Sequence, residues 1–84
     1  MNTIKAYDGR VCNLSDEIYV LEGFESAFED DHYQNGTRVR LISGVDGSPI
    51  PGYHFSKGYV TVCRVEAKVA EFRGCKRSQI RRDE

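Results

Sequence analysis

Apolar and polar positions alternate along this chain in short runs, and the strongest of them covers residues 59–65. Val60, Val62 and Val65 are β-branched, Tyr59 is aromatic and Thr61 is branched, all side chains that suit a pleated, packed surface. Tyr59, Thr61, Cys63 and Val65 fall on one face, and Val60, Val62 and Arg64 on the other. Apolar residues on both faces predict a central strand with material packed above and below it. Residues 66–73 change character. Glu66, Ala67, Lys68, Ala70, Glu71 and Arg73 favour helix, and Val65, Val69 and Phe72 recur at helical spacing. Gly74 then stands where a C-cap glycine belongs. The pattern predicts a strand running into a short helix, with a single long strand to Phe72 as the rival.

Residues 3–14 read as a hairpin. Ile4 and Ala6 alternate with Thr3, Lys5 and Tyr7, and Asp8-Gly9 is the dipeptide of a two-residue primed turn. Ser15-Asp16-Glu17 has the form of a helix start, a serine cap with two acids in the first turn. Residues 18–28 are ambiguous. Ile18, Leu21, Phe24, Ala27 and Phe28 approximate one helical face, yet residues 18–21 are equally good strand material and Gly23 weakens a helix interior. The preferred reading is a strand over 18–21 and a helical turn over 24–28. Residues 29–36 form a polar connector ending in the turn pair Asn35-Gly36. Residues 37–43 alternate cleanly, with Thr37, Val39 and Leu41 on one face and Arg38 and Arg40 on the other, which predicts a half-buried strand with a basic outer face. A long loop over 44–58 holds both prolines and displays Tyr53, His54 and Phe55. Residues 76–84, with only Ile80 to bury, read as a flexible basic tail.

Together these elements predict one α+β domain over residues 1–75, built mainly of antiparallel strands with one or two short helices. The run from Gly36 through Gly44, a loop, and then Gly58-Tyr59-Val60 resembles the glycine-bounded strands of SH3-like barrels, over about a quarter of the chain. That resemblance implies a sheet curled into a barrel or half-barrel. Val39, Leu41, Val60, Val62 and Val69 are its expected core.

Composition narrows the picture. A chain of 84 residues supports one modest core. Its 39% apolar and 30% charged residues fit a folded soluble protein, and no run approaches the roughly 20 apolar residues of a membrane span. Three cysteines (Cys12, Cys63 and Cys75) with no CxxC argue against a secreted disulfide scaffold and for a reducing cytoplasm. The net charge of −1 hides an asymmetry: residues 1–33 carry eight acids against Lys5 and Arg10, whereas residues 34–84 carry ten bases against five acids. Either the two halves neutralise each other in the fold, or each presents a charged face to a partner.

Catalytic and metal-binding patterns are weak. Cys12, Cys63, Cys75, His32 and His54 lack the paired spacing of structural zinc ligands, and no phosphate loop or nucleophile motif is present. The expectation is no enzyme, no metal and no cofactor. Two surfaces remain. One is acidic with interleaved aromatics: Asp16, Glu17, Tyr19, Glu25, Phe28, Asp30, Asp31 and Tyr33, with Phe24 as a further aromatic, suited to docking on a basic protein surface. The other is basic: Arg38, Arg40, Lys76, Arg77, Arg81 and Arg82, with Tyr53, Phe55 and Tyr59 close in sequence, suited to phosphates and stacked bases. The first gives a small regulatory protein that binds another protein. The second gives a nucleic-acid-binding β-barrel module.

Overall fold

The computed structural model describes residues 2–23, 33–44 and 58–83. They form an antiparallel sheet of seven strands: β1 (Asn2–Lys5), β2 (Val11–Leu14), β3 (Tyr19–Leu21), β4 (Arg38–Gly44), β5 (Tyr59–Arg64), β6 (Arg73–Lys76) and β7 (Ile80–Arg82). Among the described residues the one helical piece is a 3-10 turn, Arg77–Gln79, between β6 and β7.

β4 is the axis of this sheet. One edge pairs with β5, placing Leu41 opposite Val62. The other edge is shared: β3 pairs with the first part of β4 (Tyr19 opposite Val39), and β2 with the last part (Leu14 opposite Ile42). β1 extends the sheet beyond β2, β6 beyond β5, and β7 beyond β3. Those three outer strands each pair with a single neighbour, so the sheet does not close into a barrel.

The alternation of side chains sends two clusters to opposite faces. Ala6, Cys12, Ile42, Cys63 and Ala70 form one; Leu21, Tyr33, Val39, Val62 and Cys75 form the other. Adjacent Val62 and Cys63 on β5 belong to different clusters, as the valine-rich run 59–65 predicts for a strand covered on both sides. On β4, Val39 is fully buried in one cluster, and Ile42 points the opposite way into the other. Of the remaining expected core, Leu41, Val60 and Val69 are half-buried.

The predicted helix over 66–73 does not form. Val65 N–H donates to Arg38 O (3.0 Å), Ala67 N–H to Arg64 O (3.1 Å) and Ala70 N–H to Lys5 O (3.0 Å), so the backbone is satisfied by a turn and by other strands. Gly74 is no cap; it lies in β6 opposite Thr61. Ser15 is no helix cap either. Its N–H donates to Leu41 O (2.9 Å) and its hydroxyl accepts from Leu41 N–H (3.1 Å), bridging the gap between β2 and β3.

The first hairpin turns over three residues rather than two. Gly9 N–H donates to Ala6 O (3.0 Å) and Ala6 N–H to Arg10 O (2.9 Å), leaving Tyr7-Asp8-Gly9 as the loop. Gly9 takes the left-handed position at φ 85°, where a Cβ would be strained. The segment read as a tail carries the 3-10 turn and β7, whose Ile80 packs beside the Leu21 cluster. The helical turn read over 24–28 lies outside the described residues, as does the loop read over 44–58, with Tyr53, His54 and Phe55, except for Gly44, which ends β4, and Gly58.

Candidate protein-binding face

β3 positions the described part of the acidic surface. Tyr19 opens the strand, opposite Val39 on one side and Arg82 on the other, and its half-buried ring packs beside the Leu21 cluster. The Tyr19 hydroxyl donates to Glu17 Oε2 (2.8 Å), while Arg82 Nη2 pairs with Glu17 Oε1. The bond to Glu17, with burial behind it, raises the Tyr19 phenol above its ordinary value. Asp16 accepts from Asn2 Nδ2 through its Oδ1 (3.0 Å). Carboxylate and ring are thus held in place by neighbouring strands.

Tyr33 is the correction on this face. It is 2% exposed, so it is a core residue and no surface anchor. Its hydroxyl donates to Glu71 Oε2 (2.8 Å) and accepts from Arg64 N–H (3.1 Å); burial and the bond to Glu71 push the phenol far above its ordinary range. The guanidinium groups of Arg64 and Arg73 each lie 5.8 Å from its ring centroid. Glu25, Phe28, Asp30 and Asp31 lie outside the described residues, as does Phe24.

The basic candidates are largely committed within the fold. Arg38 Nε pairs with Asp83 Oδ2 (3.0 Å), Arg81 Nε with Glu22 Oε2 (2.6 Å), and Arg82 with Glu17. Arg40 Nη1 donates to Ser15 O and Asp16 O (both 3.0 Å), pinning the link between β2 and β3. Lys76 and Arg77 are exposed at the end of β6, where Tyr59 (44% exposed) sits directly opposite Lys76. Tyr53 lies outside the described residues.

The three cysteines are free and buried. Burial pushes the Cys12 and Cys63 thiols up and that of Cys75 to about 11, so at neutral pH each is a protonated, shielded thiol rather than a nucleophile. Among the described residues no group of three His, Cys, Asp or Glu is placed to hold a metal.

Two features escape the sequence pattern. A cleft of about 340 Å³ opens between the start of β4 and the end of β5, lined by Gly36, Thr37, Arg38, Arg64, Val65 and Glu66. Its residues come from separate turns, which no local pattern connects. The second is Tyr7, 93% exposed at the hairpin tip. The Asp8-Gly9 turn signal could have placed it there, because the residue entering a tight turn has no strand face to bury. No family model, curated protein or solved structure matches the chain.

Proposed function

We propose that this chain is a small non-enzymatic regulatory module, an SH3-like half-barrel that binds another protein through its acidic, aromatic-bearing side. The observation that carries this reading is the orientation of Tyr19 and Glu17: the tyrosine hydroxyl and Arg82 each hold a different oxygen of the same carboxylate. A ring ordered in advance loses little further freedom on binding; Glu17, whose charge Arg82 already answers, is its mount, and the acids left to meet a partner are Asp16 and those beyond β3. Glu25, Phe28, Asp30 and Asp31 follow β3 in the chain and add acids and an aromatic to the same half of the sequence. The partner they suit is a basic protein surface. The half-barrel reading rests on strand order: β4, β5 and β6 run as a meander, and a 3-10 turn returns the chain as β7 against β3. Three free thiols fit a reducing, cytoplasmic setting.

The alternative, a nucleic-acid-binding module using Arg38, Arg40 and residues 76–84, retains Lys76 and Arg77 beside Tyr59. It is second because Arg38, Arg81 and Arg82 are already neutralised. Affinity capture on immobilised protein, with and without nuclease, separates the two. A protein partner should survive nuclease, and Tyr19→Ala, its fold confirmed by circular dichroism, should weaken it about 30-fold, the cost of losing one aromatic anchor. Tight oligonucleotide binding with no protein left after nuclease would reverse the ranking.

A further inference from the structure

Tyr7 is the most exposed large hydrophobic side chain among the described residues, and it is presented stiffly. The two backbone bonds between Ala6, Gly9 and Arg10 set the turn beneath it. Asp8 Oδ1 accepts from Arg10 N–H (3.0 Å), and its other oxygen pairs with Arg10 Nε (3.2 Å). Ala6, immediately before Tyr7, is buried in the core. The hairpin is tied to the rest of the sheet by the pairing of β2 with β4, and to the connection between β5 and β6 by Ala70 N–H on Lys5 O. A solvent-facing phenol on such a mount buries nothing in its own chain, whereas a tyrosine anchored this way is well suited to filling a pocket at low entropic cost.

The cleft beside β4 is of a size to receive a ring, at the small end of ligand pockets. Val65 N–H on Arg38 O closes one side of it. Arg38 and Arg64 both line it: Arg64 has its edge on Glu71 and lies over the Tyr33 ring, whereas Arg38, its edge on Asp83 and its side chain more than half exposed, is the one that can stack on an incoming aromatic. Glu66 stands exposed among the lining residues. Lys5, two residues before Tyr7, is exposed as well, and neither Lys5 nor Glu66 has an ion-pair partner among the described residues.

We propose that the Tyr7 hairpin tip of one copy inserts into the Arg38–Arg64–Glu66 cleft of a second copy, with Lys5 facing Glu66. The occupant is a second copy because knob and socket lie on one chain with complementary charges beside each. The contact joins two different patches. It therefore closes as a dimer if both copies insert reciprocally, and otherwise grows head to tail.

Sedimentation velocity over concentrations from about 5 to about 500 μM tests this without any other ligand. The wild-type sedimentation coefficient should rise with concentration. Tyr7→Ser should weaken association about 30-fold; at 93% exposure it should leave the circular dichroism spectrum and urea midpoint unchanged. Glu66→Lys should also abolish association, and adding Lys5→Glu should restore it. A wild-type protein that stays monomeric throughout, a Tyr7→Ser variant that associates like wild type, or a charge swap that fails to restore association would each overturn the proposal.

Discussion

Tyr33 shows how one side chain can close a region that its sequence context marks as surface. Its neighbours Glu29, Asp30, Asp31 and His32 on one side and Gln34, Asn35 and Gly36 on the other are polar, so nothing local distinguishes it from a loop tyrosine. Its burial depends on residues 64 and 71, far along the chain, which explains why the sequence marks it only as a candidate anchor. Val39 and Val62, by contrast, are legible because their partners are other valines and leucines in the same alternating pattern. The Tyr33 site is also where pH should act. Arg64 Nε and Nη2 donate to Glu71 (2.9 and 2.6 Å), and that pairing, with the Tyr33 hydroxyl adding to it, holds the Glu71 carboxyl below its ordinary 4.5. A carboxylate lowered in the folded state contributes stability above its unfolded value, and that stability is lost as pH falls through the folded value. The urea midpoint of the wild type should therefore drop as pH falls below the ordinary carboxylate value, and Glu71→Gln should flatten part of that drop while lowering the midpoint at neutral pH. An equal drop in both proteins would remove Glu71 from the acid response.

Among the elements, β1 to β5 are legible, and β6, β7 and the segments joining the strands are not. Alternation and β-branched runs locate β1, β2, β3, β4 and β5, each of which pairs with a neighbour on at least one edge, and β5, buried at Thr61, Val62 and Cys63 in succession, is legible as a strand covered on both sides. The helix over 66–73 fails for a physical reason. Helix propensities differ by only a few tenths of a kcal/mol per residue. In this fold Ala67, Ala70 and Phe72 instead pack on the Cys12–Cys63 cluster, and Glu71 reaches Arg64. β7 escapes detection in the opposite way. A single apolar residue, Ile80, sits among cations, and the acids that answer them, Glu17 and Glu22, belong to the other end of the chain. Yet β7 pairs with β3 at three positions (Tyr19 with Arg82, Val20 with Arg81, Leu21 with Ile80). Deleting residues 80–84 should cost about 2 kcal/mol or more, since it exposes the β3 edge and removes the Ile80 contact. A truncated protein with the wild-type urea midpoint would make the segment a tail after all.

Over the entire fold, the charge asymmetry is partly neutralised internally. Two of the ion pairs, Glu17 with Arg82 and Glu22 with Arg81, join the acidic first part of the chain to the basic last part across the β3–β7 pairing. Eleven of the twelve cations but only seven of the thirteen acids lie among the described residues; Glu25, Glu29, Asp30 and Asp31 lie outside them. Exposed pairs such as these contribute little to stability individually. Their consequence is for recognition, because a guanidinium already on a carboxylate must give that bond up to take a phosphate. Arg38, Arg81 and Arg82 are in this position, and Arg40 is held by two carbonyl oxygens. Lys76 and Arg77 are the members of the basic set that remain. If those two alone met single-stranded nucleic acid, the logarithmic dependence of affinity on salt would have a slope of about −1.4, and raising salt from about 50 to about 200 mM would weaken binding about 7-fold. Four engaged phosphates would give a slope near −3 and a loss of about 50-fold over the same range. Fluorescence anisotropy with a labelled oligothymidylate decides between them. A shallow slope, unchanged by Arg81→Ala and Arg82→Ala, is expected from a surface whose arginines serve the fold. A steep slope that those two substitutions flatten would mean that the arginines leave their carboxylates for phosphate, and the nucleic-acid reading would then displace the protein-binding one.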